Sequence, residues 1–222
     1  QAVQRETAAP LAAHDSAVKM HPAVFARVDA LHRDRSSLGL APEALRLLEA
    51  VDESGCALVE IWLTHAHFDH VGAIASILRE RPVPVRLHAL DEALYTHAAT
   101  SAARWGISLE QPPASTVRVA EGDVLRFGGD DFAVWHLPGH APGHVAYLSD
   151  SLCISGDLLF AGSIGRTDLP WCDPQAMHQS LTRMATLPPG LRVLPGHGED
   201  TTIARELATN PFLRGLARPI GA

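Results

Sequence analysis

The stretch Leu63-Thr64-His65-Ala66-His67-Phe68-Asp69-His70-Val71-Gly72 concentrates three histidines and one aspartate within six residues. Imidazole and carboxylate groups without a thiolate form a ligand set that suits zinc, iron, manganese or nickel. Because residues i and i+2 of an extended segment point to the same side, His65 and His67 can bind one ion. Asp69 and His70 follow where the chain turns into a predicted helix, so they can face a second ion.

Length and composition predict a single α/β domain. The chain has 222 residues, of which 46% are hydrophobic, and this is enough for one sizeable core. Its formal net charge of −7 and its lack of a lysine or arginine run argue against a nucleic-acid partner. No apolar stretch approaches the roughly 18 residues of a membrane span, so we expect no membrane partner. The sequence leaves the oligomeric state open.

The cysteines indicate a reducing environment. Cys56, Cys153 and Cys172 are widely spaced, odd in number and form no Cys-x-x-Cys pair. We therefore interpret them as free thiols of a cytoplasmic protein and expect no disulfide framework. The start of the chain also lacks a basic segment followed by an apolar run of signal-peptide length.

Hydrophobic periodicity predicts strand–helix units in the first half of the chain and paired strands in the second. Helices flank both halves, so a layered sandwich with outer helices fits best. Residues 1–40 show no clear strand, and we separate this atypical segment from a domain at 41–222. The predicted strands are 57–63, 85–88, 116–119, 124–127, 132–136, 145–148, 152–154 and 191–194, and the predicted helices are 21–33, 42–54, 72–79, 91–103, 173–187 and 202–208.

Three further segments place metal-ligand candidates after predicted strands. They are His136-Leu137-Pro138-Gly139-His140-Ala141-Pro142-Gly143-His144, Ile154-Ser155-Gly156-Asp157 and Val193-Leu194-Pro195-Gly196-His197-Gly198. Proline–glycine pairs make two of these loops turn sharply and hold their backbones stiffly. Only some of the three histidines in the first segment can reach a common ion. Acids and histidines from separate strand ends are how metal sites are usually assembled.

The four motifs, in this order, resemble the metallo-β-lactamase superfamily. They are T-H-A-H-F-D-H, P-G-H-A-P-G-H, G-D and P-G-H. Within that superfamily, Gly162-Ser163-Ile164-Gly165-Arg166-Thr167-Asp168-Leu169-Pro170 and Asn210-Pro211-Phe212 resemble the glyoxalase II-like hydrolases, also called hydroxyacylglutathione hydrolase-like. The resemblance covers about residues 41–215. It implies a four-layer αββα sandwich, which is an α/β (α+β) fold.

The resemblance also implies a role for each matching residue. Two divalent metals are expected, with zinc as the leading assignment and iron or manganese as alternatives. His136 and His144 are expected to lie beside the site or to pack under it. The implied ligands are His65, His67 and His140 for a first ion, Asp69, His70 and His197 for a second, and Asp157 as the bridge between them.

The resemblance implies a metal-dependent hydrolase of thioesters such as hydroxyacyl-glutathione. Two metals that share a water lower its pKa, so a metal-bound hydroxide can attack a carbonyl carbon near neutral pH. One metal would stabilise the oxyanion, and Asp69 would orient the nucleophile. Arg166 is a candidate contact for a substrate carboxylate. The candidates for fixing the imidazole tautomers are Thr64, Ser155, Thr167 and Asp168.

Two features depart from the family pattern. Family members usually begin with two or three strands that end in an Asp-Pro-Gly-like turn, whose aspartate braces the histidine loop. Residues 1–40 show neither feature, so we expect the opening strands to be missing or altered. The chain ends shortly after Asn210-Pro211-Phe212, so it resembles the single-domain branch that lacks a glutathione-binding helical domain.

Two other functions stay open at this point. One is a mononuclear iron persulfide dioxygenase, which belongs to a similar branch, and the other is an inactive or metal-binding-only family member. Metal content separates the first from a dinuclear hydrolase, because it requires one iron per chain. A β-lactamase is less favoured, since no cysteine falls in a ligand motif.

Overall fold

The computed structural model describes residues 40–114 and 117–221, in which strands form two main sheets and one small hairpin. The helices are α1 (Leu40–Glu53), α2 (Phe68–Val71), α3 (Ile74–Glu80), α4 (Glu92–Thr96), α5 (Ala98–Ala103), α6 (Pro174–Met184) and α7 (Ile203–Thr209), and a 3-10 turn lies at Ala89–Asp91. The strands are β1 (Ile61–Trp62), β2 (Val85–His88), β3 (Val117–Val119), β4 (Val124–Phe127), β5 (Asp130–His136), β6 (Val145–Leu148), β7 (Leu152–Gly156), β8 (Leu159–Phe160), β9 (Ser163–Ile164), β10 (Arg192–Pro195) and β11 (Thr201–Thr202).

The smaller sheet contains β1, β2 and β3, which are parallel and lie in that order. Parallel neighbours need a crossover connection, and the helix pairs α2–α3 and α4–α5 supply it here. The sequence predicts a strand over 57–63, but only Ile61–Trp62 is a strand. In the described part of the chain β1 pairs with β2 alone, so residues 57–60 have no ladder on their other side and stay irregular.

The larger sheet has six strands in the order β11-β10-β7-β6-β5-β4. Its neighbours are antiparallel except β7 and β10, which are parallel and connected through α6. Between the two sheets, the Trp62 ring lies 5.3 Å from the Tyr147 ring and 5.7 Å from the Phe132 ring. Aromatic rings bury large apolar areas, so this cluster is a main part of the core between the sheets.

Helices cover the outer faces of both sheets. On the smaller sheet, Leu48 of α1 and Ile77 of α3 pack together over Ile61. On the larger sheet, the buried face of α6 carries the inward residues that the sequence predicts, Met177, Leu181 and Met184. The αββα sandwich expected from the resemblance is therefore confirmed.

Several details differ from the sequence prediction. The helix predicted over 91–103 is interrupted at His97, where side chains bond back to the preceding turn and compete with the helical backbone. Helical structure expected from residue 72 already begins at Phe68, inside the histidine-rich stretch. The two-residue strands β8, β9 and β11 are too short for periodicity to reveal.

Two predictions fall outside the described residues. They are the helix at 21–33 and the absence of opening strands from residues 1–40. The division of the chain between 1–40 and 41–222 stays a prediction. Within 40–114 and 117–221, every helix falls short of the length and apolar character that crossing a bilayer requires.

Candidate metal centre

The backbone that leads into the histidine-rich stretch is fixed to the larger sheet. The Tyr147 hydroxyl donates a hydrogen bond to Leu63 O at 2.8 Å. Val145 N of β6 donates to Thr64 O, also at 2.8 Å. His65, which follows directly, is therefore presented from a backbone that the larger sheet holds in place.

Three imidazoles form a first group. The ligand atoms of His65, His67 and His140 all lie within 4.8 Å of one another. His67 Nδ1 and His140 Nε2 are 2.8 Å apart. His65 is fully buried, and its Nε2 has no hydrogen-bond partner among the described residues. An unsatisfied buried polar atom costs about 1–3 kcal/mol, so a cation at this point would stabilise the ring.

An acid and two imidazoles form a second group beside the first. The ligand atoms of Asp69, His70 and His197 also lie within 4.8 Å of one another. His197 Nε2 is 3.4 Å from Asp69 Oδ2, and His70 Nε2 is 3.9 Å from the same oxygen. The helix α2 presents the first two residues, and the loop after β10 presents His197.

Asp157 lies between the two groups. Its Oδ1 is 3.3 Å from His70 Nε2, and its Oδ2 is 3.3 Å from His197 Nε2. The same Oδ2 is 3.5 Å from His140 Nε2, which belongs to the first group. Asp157 directly follows β7, so a strand end places one carboxylate against both groups. The structure thus brings together all seven residues that the sequence singles out as ligands.

Two glycines allow the loops to approach this closely. A Cβ on Gly196 would lie 2.2 Å from Asp157 Oδ1 and 2.9 Å from the His70 ring. A Cβ on Gly165 would lie 1.9 Å from the Asp157 carbonyl oxygen and 3.2 Å from His140 Nδ1. A side chain at either position would displace the acid or the histidines around it.

Burial keeps the histidines of the first group neutral. It lowers the pKa of His67 to about 4, and the neighbouring His140 reinforces the effect. The pKa of His65 lies well below its usual value, chiefly because of burial and then because of His70. Burial also lowers the pKa of His140. Neutral imidazole is the form that binds metal ions, so these nitrogens are available near neutral pH.

The two acids of the site are ionised despite their burial. Burial by itself would raise the pKa of Asp157, but His70 and His197 hold it well below its usual range. Burial likewise opposes ionisation of Asp69, whose pKa the hydrogen bond with His197 keeps low. In return, Asp157 and Asp69 raise the pKa of His197 to about 10. The site therefore favours positive charge strongly, and a divalent cation can supply that charge in place of protons.

Neighbouring oxygens orient two of the imidazoles. His140 Nδ1 donates to Arg166 O at 2.8 Å, which leaves its Nε2 to face the cluster. His65 Nδ1 lies 3.2 Å from Thr64 Oγ1, which leaves its Nε2 to do the same. The carbonyl partner of His140 fixes the tautomer of that ring and increases the basicity of its Nε2, and the Thr64 hydroxyl orients the ring of His65.

The other three residues expected to fix tautomers bond elsewhere, so that expectation is wrong. Ser155 Oγ donates to carbonyl oxygens of β8 and β10, and Thr167 Oγ1 donates to a carbonyl oxygen near the C-terminus. Asp168 accepts two bonds from the Arg166 guanidinium, at 2.6 and 2.9 Å. Arg166 is about half exposed in this pair, and its contact with a substrate stays a prediction.

The remaining described histidines belong to neither of the two groups. His144 is fully buried, its ring stacks on His65 at 5.2 Å, and its Nε2 accepts from Asp157 N at 3.1 Å. His136 stacks on His88 with 4.2 Å between ring centroids. His144 thus packs under the site, as the sequence predicts, whereas the position of His136 beside the site stays a prediction. The others are His97 and His178, together with His14, His21 and His32, which lie outside the described residues.

Sequence reasoning missed one buried acid that joins two ligand-bearing loops. Asp91 is fully buried, its Oδ2 accepts from Ala66 N at 2.9 Å, and its Oδ1 accepts from Gly143 N. Burial raises the pKa of Asp91 to about 6, against the effect of these two backbone bonds. The sequence signal is weak, since it is only an acid that follows the predicted strand 85–88.

Comparison with known proteins points to one superfamily. A sequence model described as Metallo-beta-lactamase superfamily matches residues 28–197. Hydroxyacylglutathione hydrolase GloC of Haemophilus influenzae is 34% identical over 176 residues, which cover 77% of this chain and 83% of that protein. The protein in the crystal structure of TTHA1623 in a di-iron-bound form is 48% identical in sequence to this chain, and the two structures match with a TM-score of 0.71. The match covers 76% of this chain and 84% of that one. The protein in the crystal structure of BLEG-1 B3 metallo-beta-lactamase is 34% identical in sequence to this chain, and the TM-score is also 0.71. That match covers 77% of this chain and 84% of that one.

Proposed function

The chain belongs to the metallo-beta-lactamase superfamily, and on this basis we propose that it is a metal-dependent hydrolase of thioesters such as hydroxyacyl-glutathione. The observation that carries the proposal is the pair of adjacent three-donor groups with one carboxylate between them. The similarity to a hydroxyacylglutathione hydrolase supports the choice of substrate class.

The donor chemistry of the seven residues fits two divalent ions. Imidazole nitrogens and carboxylate oxygens suit zinc, iron and manganese. Zinc is the leading assignment, and the di-iron form of TTHA1623 supports iron as the alternative. The proposed ligands are His65, His67 and His140 for the first ion, Asp69, His70 and His197 for the second, and Asp157 as the bridge.

When bound, the metals would lower the pKa of a shared water so that hydroxide is available near neutral pH. Asp69 is an ionised carboxylate 3.4 Å from His197 Nε2, and it would accept a hydrogen bond from the attacking water and orient it. His65 and Asp157 are buried and exclude bulk water from the inner side of the site. Exclusion of water strengthens the electrostatic stabilisation of an oxyanion.

The exposed side of the cluster indicates how a substrate would approach. The side chains of Asp69 and His197 are each 37% exposed, whereas those of His140 and Asp157 are 4% and 8% exposed. The substrate carbonyl would therefore arrive from the side of Asp69 and His197.

A thiolate leaves without a strong acid, so the site can cleave a thioester without a dedicated proton donor. Arg166 would contact a substrate carboxylate by giving up its hydrogen bonds to Asp168 and donating to the substrate instead.

A mononuclear iron persulfide dioxygenase is the alternative with a different chemistry. It would need the first group of histidines and one iron, and the second group would then have no ion to bind. The arrangement of Asp69, His70 and His197 within 4.8 Å favours the dinuclear hydrolase. Elemental analysis of the purified protein separates the two, because they require one iron or two metals per chain.

Hydrolysis of a β-lactam is a second candidate reaction, and the similarity to BLEG-1 B3 metallo-beta-lactamase favours it. The same attack on a carbonyl carbon would open the lactam amide. An amide nitrogen leaves less readily than a thiolate, so this reaction would depend more on proton donation. A β-lactam substrate assayed beside the thioester decides between them.

The test is thiol release from a hydroxyacyl-glutathione thioester by the zinc-loaded chain. We expect release that stops after chelation and returns with zinc. Asp69→Asn should reduce kcat strongly, while His178→Ala, an exposed change on α6, should not. Absence of thiol release by protein with two bound metals per chain would refute the thioesterase proposal and leave a metal-binding-only protein.

We also infer a cytoplasmic location and a small-molecule thioester as the binding partner. The three cysteines of the chain, Cys56, Cys153 and Cys172, are free. Free thiols persist in reducing compartments. The cluster lies at the exposed side chains of Asp69 and His197, which suits a small molecule.

A further inference from the structure

One buried carboxylate connects the two loops that carry the first group of histidines. Asp91 ends the 3-10 turn after β2, and none of its surface is exposed. Its Oδ2 accepts a hydrogen bond from Ala66 N at 2.9 Å, and its Oδ1 accepts one from Gly143 N. Ala66 stands between His65 and His67, and Gly143 stands three residues after His140. Each carboxylate oxygen thus binds one ligand-bearing loop.

We propose that Asp91 is a positioning residue that sets the distance between these loops and thereby the metal affinity of the first site. The proposal rests on the proposed function only in taking His65, His67 and His140 as the ligands of that site. Asp91 contacts backbone N–H groups and no ligand side chain in the described hydrogen bonds. It therefore acts through the backbone and takes no part in the reaction itself.

The chemistry of the contact requires a short carboxylate. Two buried N–H donors from different loops need two acceptors, and an aspartate offers both on one rigid group. Asparagine has the same shape but presents an NH₂ group to one of the donors, which leaves that N–H unsatisfied. Glutamate is longer by one methylene group, and because position 91 is fully buried, that group would have to displace neighbouring atoms.

Gly143 can approach the Asp91 carboxylate closely because it has no side chain. A Cβ on Gly143 would lie 2.7 Å from Asp91 N and 2.8 Å from Asp91 Oδ1. The backbone can approach the carboxylate only because that Cβ is missing. Gly143→Ala would push the proline–glycine loop away and leave the aspartate in place, so it perturbs the contact from the opposite side.

The loop separation matters because metal ligands tolerate little displacement. His67 Nδ1 and His140 Nε2, which come from the two loops, are 2.8 Å apart. Zinc–nitrogen bonds are about 2.0–2.1 Å long, and a functional site keeps its geometry within about 0.5 Å. A shift of one loop by a few tenths of an ångström would lengthen or break a bond to the first ion.

The test is a metal titration of the purified full chain against a chromophoric chelator, with zinc as the probe. We expect Asp91→Asn to weaken zinc binding at the first site by about 10- to 100-fold, as changes in supporting residues typically do. The visible spectrum of cobalt in that site should change as well, because it reports the ligand geometry. Gly143→Ala should produce the same two effects.

Leu48→Ala is the matched control, because Leu48 of α1 is a buried core residue whose described apolar cluster includes no residue of either ligand-bearing loop. It should lower the melting temperature and leave zinc affinity within about twofold of the original, well below the effect expected for Asp91→Asn. If Asp91→Asn and Gly143→Ala lower the melting temperature but bind zinc and cobalt as the original does, Asp91 is merely structural and the proposal falls. The titration needs no substrate, so a failure to hydrolyse thioesters leaves its result intact, whereas an original chain that binds no metal refutes both proposals.

Discussion

The His65→Leu variant should be more stable than the original protein when no metal is bound and less stable than the original when metal is bound. His65 is fully buried, and its Nε2 has no hydrogen-bond partner within the described part of the chain. Leucine has a similar volume and lacks that unsatisfied nitrogen. The replacement also removes the contact between His65 Nδ1 and Thr64 Oγ1, which are 3.2 Å apart.

The magnitudes follow from these contacts. In the metal-free protein, removal of the unsatisfied atom should stabilise the fold by about 2 kcal/mol, and loss of the Thr64 contact should cost about 1 kcal/mol. The variant should therefore be more stable than the original by about 1 kcal/mol. A ligand at 100 times its Kd stabilises the folded state by about 2.7 kcal/mol per site. Because the variant loses this gain at the first site, it should be less stable with metal by about 2 kcal/mol.

Urea unfolding followed by circular dichroism measures both free energies, once with a chelator and once with excess zinc. His178→Leu is the control, since His178 is exposed on α6 and should change either value by less than about 0.5 kcal/mol. A His65→Leu variant that is less stable than the original by the same amount in both conditions would show that His65 binds no metal.

Three further predictions use other parts of the site and core. Gly196→Ala should weaken zinc binding at least about tenfold by the chelator titration, because its Cβ would lie 2.2 Å from Asp157 Oδ1; unchanged affinity would contradict the assignment of Asp157. Burial raises the pKa of Cys153 to about 12, so its thiolate is scarce below that pH and a thiol reagent at pH 8 should label this residue only after unfolding. Arg166→Ala breaks a half-exposed pair with Asp168 and should change the free energy of unfolding by less than about 1 kcal/mol. The same variant should raise KM for a thioester that carries a carboxylate and leave kcat unchanged, and an unaltered KM would exclude the substrate contact.

The sequence predicts the site well wherever the pattern is local. His65 and His67 are two residues apart in an extended segment, so their common side follows from backbone geometry. Asp157 and His197 each follow an apolar strand, and strand ends of one sheet meet at one edge. The choice of His140 among three histidines of its loop came from resemblance, and the structure brings that histidine to the cluster.

The contacts that sequence reasoning missed depend on tertiary packing. Asp91 looks like an ordinary acid after a strand, and its partners Ala66 and Gly143 are 25 and 52 residues away. No periodicity or turn signal reports such a distance. From residues 1–40 we expect no aspartate that braces the histidine loop. Among the described residues, the buried Asp91 is bonded to that loop, and the expectation for residues 1–40 stays a prediction.

The ends of strands also depend on tertiary packing and are therefore hard to predict from the sequence. The apolar run 57–63 has strand composition, but only Ile61–Trp62 finds a neighbour in the described chain. Pairing, which depends on a partner strand, decides how much of an apolar run becomes a strand. Support of the His140 ring by Arg166 O was likewise hidden, because a backbone carbonyl carries no signature in the sequence.

With two metal ions bound by this cluster, the protein should hydrolyse a thioester. The most direct measurement is the rate of thiol release from a hydroxyacyl-glutathione thioester as zinc is added to metal-free protein, with bound zinc per chain determined on the same samples. We expect activity that rises with bound metal and reaches its maximum at two ions per chain. Protein that holds two ions per chain and releases no thiol would contradict it.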